Sequence, residues 1–382
     1  MKTLRNFTIL SLLLSFLALP LSCSLTGDGP DEGGPDEGGA ELSGEVTLEV
    51  DEPLIRADGK SCAILSVKVG GVAVKEGVTI YDATTNTPVD VPNLEFTTTT
   101  PGKYSFWAAY KTRHSETVSI TAISAAIPVL PSDPAPSSTN FSRKVLVMQF
   151  TGTNCGFCPY MVNLLRTFTA NPSNEGKWVL AAIHTYNSSD PAYTSAPIDG
   201  AMGISGYPTA ALDLDKTTKW TNYYNYEGFQ SMFNKEYAAA KAKVGIALST
   251  VLDGNQLVVK TGLKAAEAGD YGLALWVLED GIKAKQANNG AQSDEGYDTH
   301  NNCVRLMLGQ NSSKDFSGVR VSLAKGEEVE QYALIDLKDS WVGENLHVVG
   351  IVTALNAGGD AFTANNAVNC PVNSSIAYSY NK

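Results

Sequence analysis

Apolar and polar positions alternate with a period of two through Val46–Val50, Ala63–Val69 and Tyr104–Tyr110, and turn residues separate these runs: Ala57-Asp58-Gly59, Gly70-Gly71 and Pro101-Gly102. The pattern predicts an all-β domain of short strands over 44–124. The C-terminal third repeats it in Gly245–Ser249, Leu257–Thr261, Leu273–Leu278, Val304–Leu308, Val329–Leu334 and His347–Ala354, which predicts an antiparallel β-sandwich over 244–382. The stretch between reads differently. Val145–Phe150 and Trp178–Thr185 are short continuous apolar runs of the kind a parallel sheet buries on both faces. Met161, Val162, Leu164 and Leu165 recur at helical spacing, and Phe229, Met232, Phe233 and Tyr237 line one face of a second predicted helix. Residues 143–243 therefore read as α/β.

The ends and joints follow from composition. Lys2 and Arg5 precede an apolar core, Ile9–Leu21, too short and too early to span a bilayer in a mature chain, so 1–22 reads as a secretion signal. Leu21-Ser22-Cys23 resembles a bacterial lipobox, which implies lipidation of Cys23 and attachment to a membrane. Residues 23–43 carry GPDEGGPDEGG, a self-repelling acidic tether with nothing to bury. Residues 125–142, rich in Pro and Ser, read as a semi-stiff linker. The 382 residues carry 40 acidic against 28 basic side chains, a net charge of −12, with no basic run for nucleic acid.

The chemistry concentrates in Lys144–Met161, KVLVMQFTGTNCGFCPYM. A strand runs into a polar loop, Asn154 stands where a helix N-cap is expected, and Cys155 and Cys158 follow three apart. At that spacing the sulfurs reach one another without straining the chain. Unpaired N–H groups at a helix start favour a thiolate, the attacking species in disulfide exchange, so Cys155 is the candidate nucleophile and Cys158 the resolving thiol. Half of a zinc site and an inert staple are the competing readings. Neither a second CxxC nor an HxxxH supplies further zinc ligands.

Pro208 stands 50 residues after Cys158, in Gly203–Leu214, GISGYPTAALDL, before an apolar strand. CGFC followed by this turn and strand resembles the thioredoxin superfamily. The resemblance implies a cis bond at Pro208 and a substrate chain held at Tyr207 and Pro208. The sequence departs from that family at Asn154, where a tryptophan is common, and at Gln149, where a buried acid often moves protons. A neutral amide cannot serve as a base. TG-x-x-C-x-x-C-P is similar to a Bacteroidetes outer-membrane lipoprotein family that joins a thioredoxin-like domain to a C-terminal β domain. The first β domain resembles the Ig-like spacers of bacterial surface proteins. The expected fold class is thus multidomain α/β plus all-β: an Ig-like β-sandwich, a thioredoxin-like α/β domain and a C-terminal antiparallel β-sandwich.

Other residues stay open. Cys303 and Cys370 are expected to pair in an oxidising compartment, leaving Cys62 odd. His184, near a strand end, either approaches the CxxC or is a hydrogen-bonded structural residue. Trp220–Tyr226 (WTNYYNY) either binds a glycan or peptide or packs on the sheet. No cofactor and no metal site are expected. Two functions compete. One is a membrane-anchored thiol–disulfide oxidoreductase or isomerase of the bacterial cell envelope, acting on disulfide-containing or thiol proteins. The other is a non-catalytic surface lipoprotein that binds a protein or glycan partner on a thioredoxin-like scaffold.

Overall fold

The computed structural model describes residues 42–291 and 296–381. The signal, Cys23 and most of the acidic tether lie outside the described residues. The described chain separates after Ile127 into two compact units.

The first unit is all β: β1 (Val46–Val50), β2 (Leu54–Arg56), β3 (Ala63–Val69), β4 (Val72–Val74), β5 (Val78–Asp82), β6 (Thr87–Pro88), β7 (Glu95–Phe96), β8 (Gly102–Tyr110), β9 (Arg113–His114) and β10 (Val118–Ile123). They form two sheets, β1-β3-β4 with β7 on β3, and β2-β10-β8-β5-β6 with β9 on β8. Period-two alternation explains the packing. Ala63, Leu65, Val67 and Val69 point inward from β3, while Ile64 is exposed. Cys62 is a free, half-buried thiol.

The second unit opens with β11 (Val145–Thr151), α1 (Cys158–Ala170), β12 (Trp178–His184), α2 (Ile198–Met202), β13 (Thr209–Leu212), β14 (Lys219–Trp220) and α3 (Tyr226–Ala239). It continues with β15 (Val244–Asp253), β16 (Gln256–Ala265), β17 (Gly269–Glu279), β18 (Ile282–Lys283), β19 (Thr299–His300), β20 (Cys303–Leu308) and β21 (Val319–Leu323). It ends with β22 (Glu328–Asp336), β23 (Leu346–Leu355), β24 (Phe362–Pro371) and β25 (Ser375–Ile376). β11 and β12 run parallel, with Val147 opposite Leu180, and β13 is antiparallel to β11, with Phe150 opposite Thr209.

The domain boundary expected at 243/244 is not a break in the structure. β20 adds parallel to β12, Ala182 opposite Cys303, so one nine-stranded sheet runs β14-β13-β11-β12-β20-β17-β23-β24, with β21 on β17. β22-β16-β15-β25 forms a second sheet, and β18 pairs with β19 in a small two-stranded one. Leu273, Leu275 and Val277 of β17 pack in one core with Ile246, Leu248 and Val259 of that second sheet. The alternate residues Ala274, Trp276 and Leu278 join another core, shared with Leu146, Met148 and Phe150 of β11 and with Ile198 and Met202 of α2. A strand buried on both faces reads as an unbroken apolar run, which alone does not say which elements cover it. The opposite face of β11 packs Val145 and Val147 against Leu164 and Phe168 of α1 and Phe229 and Phe233 of α3.

The expected linker is also fastened to this unit from Pro128 onward. Lys264 Nζ donates to Asp133 at 2.7 Å, and Phe141 stacks on Tyr380 with ring centroids 5.0 Å apart. At the start of β11, the Arg143 guanidinium donates to Asp213 at 2.6 Å, to the Glu236 carbonyl at 2.7 Å and to the Asn365 carbonyl at 3.2 Å. Both side chains are buried, and burial pushes the Asp213 carboxyl up to about 8 against the pull of Arg143.

The expected Cys303–Cys370 bond is absent, and both are free, buried thiols. Their strands explain why. Cys303 sits on β20 and Cys370 on β24, three strand spacings apart in the same sheet, about 14 Å. A disulfide needs Cα atoms within about 7 Å.

Candidate functional site

Cys155 and Cys158 are joined by a disulfide. The helix starts later than expected. α1 begins at Cys158, Phe157 occupies the N-cap position, and Pro159, which has no N–H to leave unpaired, sits in the first turn. Asn154 is not the cap. Cys155 instead lies in a tight turn in which its N–H donates to Gly152 O and its own carbonyl accepts from Cys158 N, both at 3.1 Å.

The Tyr207–Pro208 peptide bond is cis. Pairing of Phe150 with Thr209 brings this turn to the end of the sheet from which the CGFC loop leaves β11. The Tyr207 hydroxyl contacts Thr185 Oγ1 at 2.9 Å and donates to Asp199 at 3.2 Å, which fixes its ring.

His184 closes β12 at the same end. It is buried, with Nδ1 2.8 Å from Asp190 Oδ2 and Nε2 3.7 Å from Cys303 Sγ. Asp190 in turn accepts from the backbone N–H of Thr153 at 2.7 Å, so this pair braces the loop that carries Cys155. Burial pushes the Cys303 thiol well above its ordinary value. A cavity of about 230 Å³ lies against α1, β11 and β12, lined by Gln149, Trp178, His184, Gln286 and His300 among others. Among the described residues the Gln149 amide nitrogen and the Trp178 ring N–H have no hydrogen-bond partner.

Sequence reasoning missed the segment after β18. Gln286 Nε2 lies 3.2, 3.1 and 3.0 Å from the carbonyl oxygens of Gly152, Thr153 and Cys155. Ala287 N–H donates to Thr153 O at 2.7 Å, and Asn289 N–H to Gly156 O at 2.8 Å. A Cβ on Gly156 would stand 2.5 Å from the Asn289 side chain. Cys155 is 3% exposed and Cys158 1%. AKQANNGA is a polar loop with no motif that marks it.

Part of the aromatic run packs beside the disulfide. Tyr223 and Tyr224 cluster with Tyr160 and with Phe157, the residue before Cys158; the Phe157–Tyr223 and Tyr160–Tyr224 centroids lie 6.2 and 5.0 Å apart. Phe157 is 44% exposed and Tyr224 68%.

Residues 196–370 match the family described as Omp28, outer membrane protein Omp28. The match includes the Tyr207–Pro208 turn and Gln286 but begins after the CGFC motif. It places the protein in the cell envelope, at the outer membrane. No helix among the described residues is long and apolar enough to cross a membrane. Among solved structures, HBP35 of Porphyromonas gingivalis superposes with a TM-score of 0.51 at 16% identity, over 64% of this chain and 79% of that one. That overlap agrees with a β-rich, multidomain architecture. A protein of Agrobacterium tumefaciens overlaps at a TM-score of 0.38 and 15% identity, over 61% of this chain and 96% of that one, which falls short of a shared fold. Among curated proteins, none matches the chain.

Proposed function

We propose that the protein is an outer-membrane lipoprotein, anchored through Cys23, whose 143–243 region is thioredoxin-like and exchanges disulfides with envelope proteins. One observation carries this reading: the Cys155–Cys158 pair and the Tyr207–Pro208 turn lie at the same end of one sheet. In the reduced protein the Cys155 thiolate attacks a substrate disulfide. A Cys155–substrate disulfide forms and one substrate thiolate leaves. Cys158 then attacks Cys155 Sγ, releases the second substrate thiolate and closes the Cys155–Cys158 bond. Two electrons pass to the substrate, and an external dithiol restores the pair. The reverse sequence oxidises a substrate dithiol. Tyr207 and Pro208 are assigned to holding the substrate chain, as strand addition at that turn would.

The burial of both cysteines favours the second reading, in which the bond staples a binding scaffold. Turnover separates the two. With insulin as substrate and dithiothreitol as reductant, Cys155→Ser is expected to abolish catalysed reduction. Cys158→Ser is expected to accumulate mixed disulfides through Cys155. Wild-type turnover no faster than that of the double variant overturns the enzyme reading.

A further inference from the structure

We infer that residues 286–289 form a strap that gates the Cys155–Cys158 disulfide, with Gln286 as its positioning residue. The inference rests on the exchange reading above and names the regulation of that site.

The geometry is that of one chain segment laid on another. Ala287 and Asn289, two residues apart as in an extended chain, donate their N–H groups to Thr153 O and Gly156 O, on either side of Cys155. Gln286 reaches beneath them to the carbonyls of Gly152, Thr153 and Cys155. The Asn289 carbonyl accepts from the Tyr160 hydroxyl at 3.2 Å, which ties the far end of the strap to α1. Gly156 completes the fit, because the absence of a Cβ is what lets the Asn289 side chain sit against the loop. Every acceptor that the strap uses on the cysteine loop is a main-chain carbonyl, while the Gln286 N–H donates to Asp298 Oδ1 at 2.9 Å. An extended polypeptide presenting N–H groups at alternate residues offers the same donors. The strap therefore holds the place of such a chain, and a disulfide-bearing polypeptide reaches Cys155 by taking over these bonds. Small thiols, which cannot, wait for the strap to open.

A strap held by hydrogen bonds opens locally without unfolding the cores beneath it. Cys303 and Cys370 supply an internal control. Both thiols are buried in sheet cores and react only when those cores open.

The test measures reduction of Cys155–Cys158 by dithiothreitol in the full chain, with mass spectrometry of alkylated cysteines. In the native protein the rate is expected to be about a hundredfold below that in urea, as for a group reached through local opening. Gln286→Ala and, separately, Ala287→Pro are expected to raise the native rate about tenfold, the factor given by loss of one to two net hydrogen bonds. Cys303 and Cys370 are to remain unalkylated in both. A native rate within about threefold of the rate in urea overturns the strap, since it leaves no protection by local structure. So does an unchanged rate in both variants. If both variants expose Cys303 and Cys370, the comparison of native and urea rates in the wild type decides. Insulin turnover plays no part in this assay, so an inactive enzyme with a protected disulfide would refute exchange and leave the strap standing.

Discussion

At the residue scale, the loop that carries Cys155 is positioned by side chains outside the motif. Asp190 shows the balance of forces. Burial alone would raise its carboxyl, but the hydrogen bond and charge of His184 and the N–H groups of Thr153 and Ala192 outweigh that and lower it from 3.8 to about 2. A carboxyl depressed by folding stabilises the fold above its unfolded value and stops doing so as pH falls through its folded value. The window is therefore about pH 4 down to pH 2, and the amount is about 2 kcal/mol. Asp190→Asn is expected to remove this part of the acid sensitivity. Urea unfolding at pH 5, 4 and 3 measures it, and a variant whose stability falls with pH as steeply as wild type contradicts it. At this scale the sequence made Cys155, Cys158 and Pro208 legible, because their chemistry is tied to spacing along the chain. It hid Gln286, whose partners in the cysteine loop lie more than 130 residues away and whose type is ordinary for a loop. It misled at Cys303 and Cys370, because pairing by elimination ignores the distance between strands.

At the element scale, alternation and apolar runs located the strands, while their neighbours came from tertiary packing. β17 is the clearest case. Its Leu273–Leu278 run announces burial on both faces, yet nothing local says that one face serves the second sheet and the other a core shared with β11. The late start of α1 has a local cause in the first-turn proline and the preceding turn at Cys155. Arg143 joins elements that the sequence keeps far apart: the start of β11, the residue after β13, the end of α3 and β24. Its loss leaves the buried Asp213 carboxyl without its cation and strands the carbonyl oxygens of Glu236, Tyr237 and Asn365. Arg143→Ala is expected to destabilise the second unit by about 3–5 kcal/mol, as does removal of one partner from a buried pair. Denaturant titration followed by tryptophan fluorescence reads this out, and a loss below about 1 kcal/mol, the range of surface pairs, contradicts it.

At the scale of the whole molecule, the second unit is one folded body in which a nine-stranded sheet carries both the disulfide and the strap that covers it. A separate redox domain followed by a free sandwich would have no such cover. Here the C-terminal β region supplies β20 to the sheet edge and residues 286–289 to the disulfide, so the part matched to an outer-membrane family completes the site of the part that holds CGFC. The proposed anchor at Cys23, with the acidic tether read from the sequence, would hold that unit at a membrane surface. The midpoint potential of the Cys155–Cys158 pair, taken at equilibrium in thiol–disulfide buffers, tests the exchange reading most directly. Exchange with protein substrates predicts a midpoint between about −270 and −120 mV, the span of pairs that trade disulfides. A midpoint below about −300 mV, where structural disulfides lie, would make the bond a staple and contradict the account.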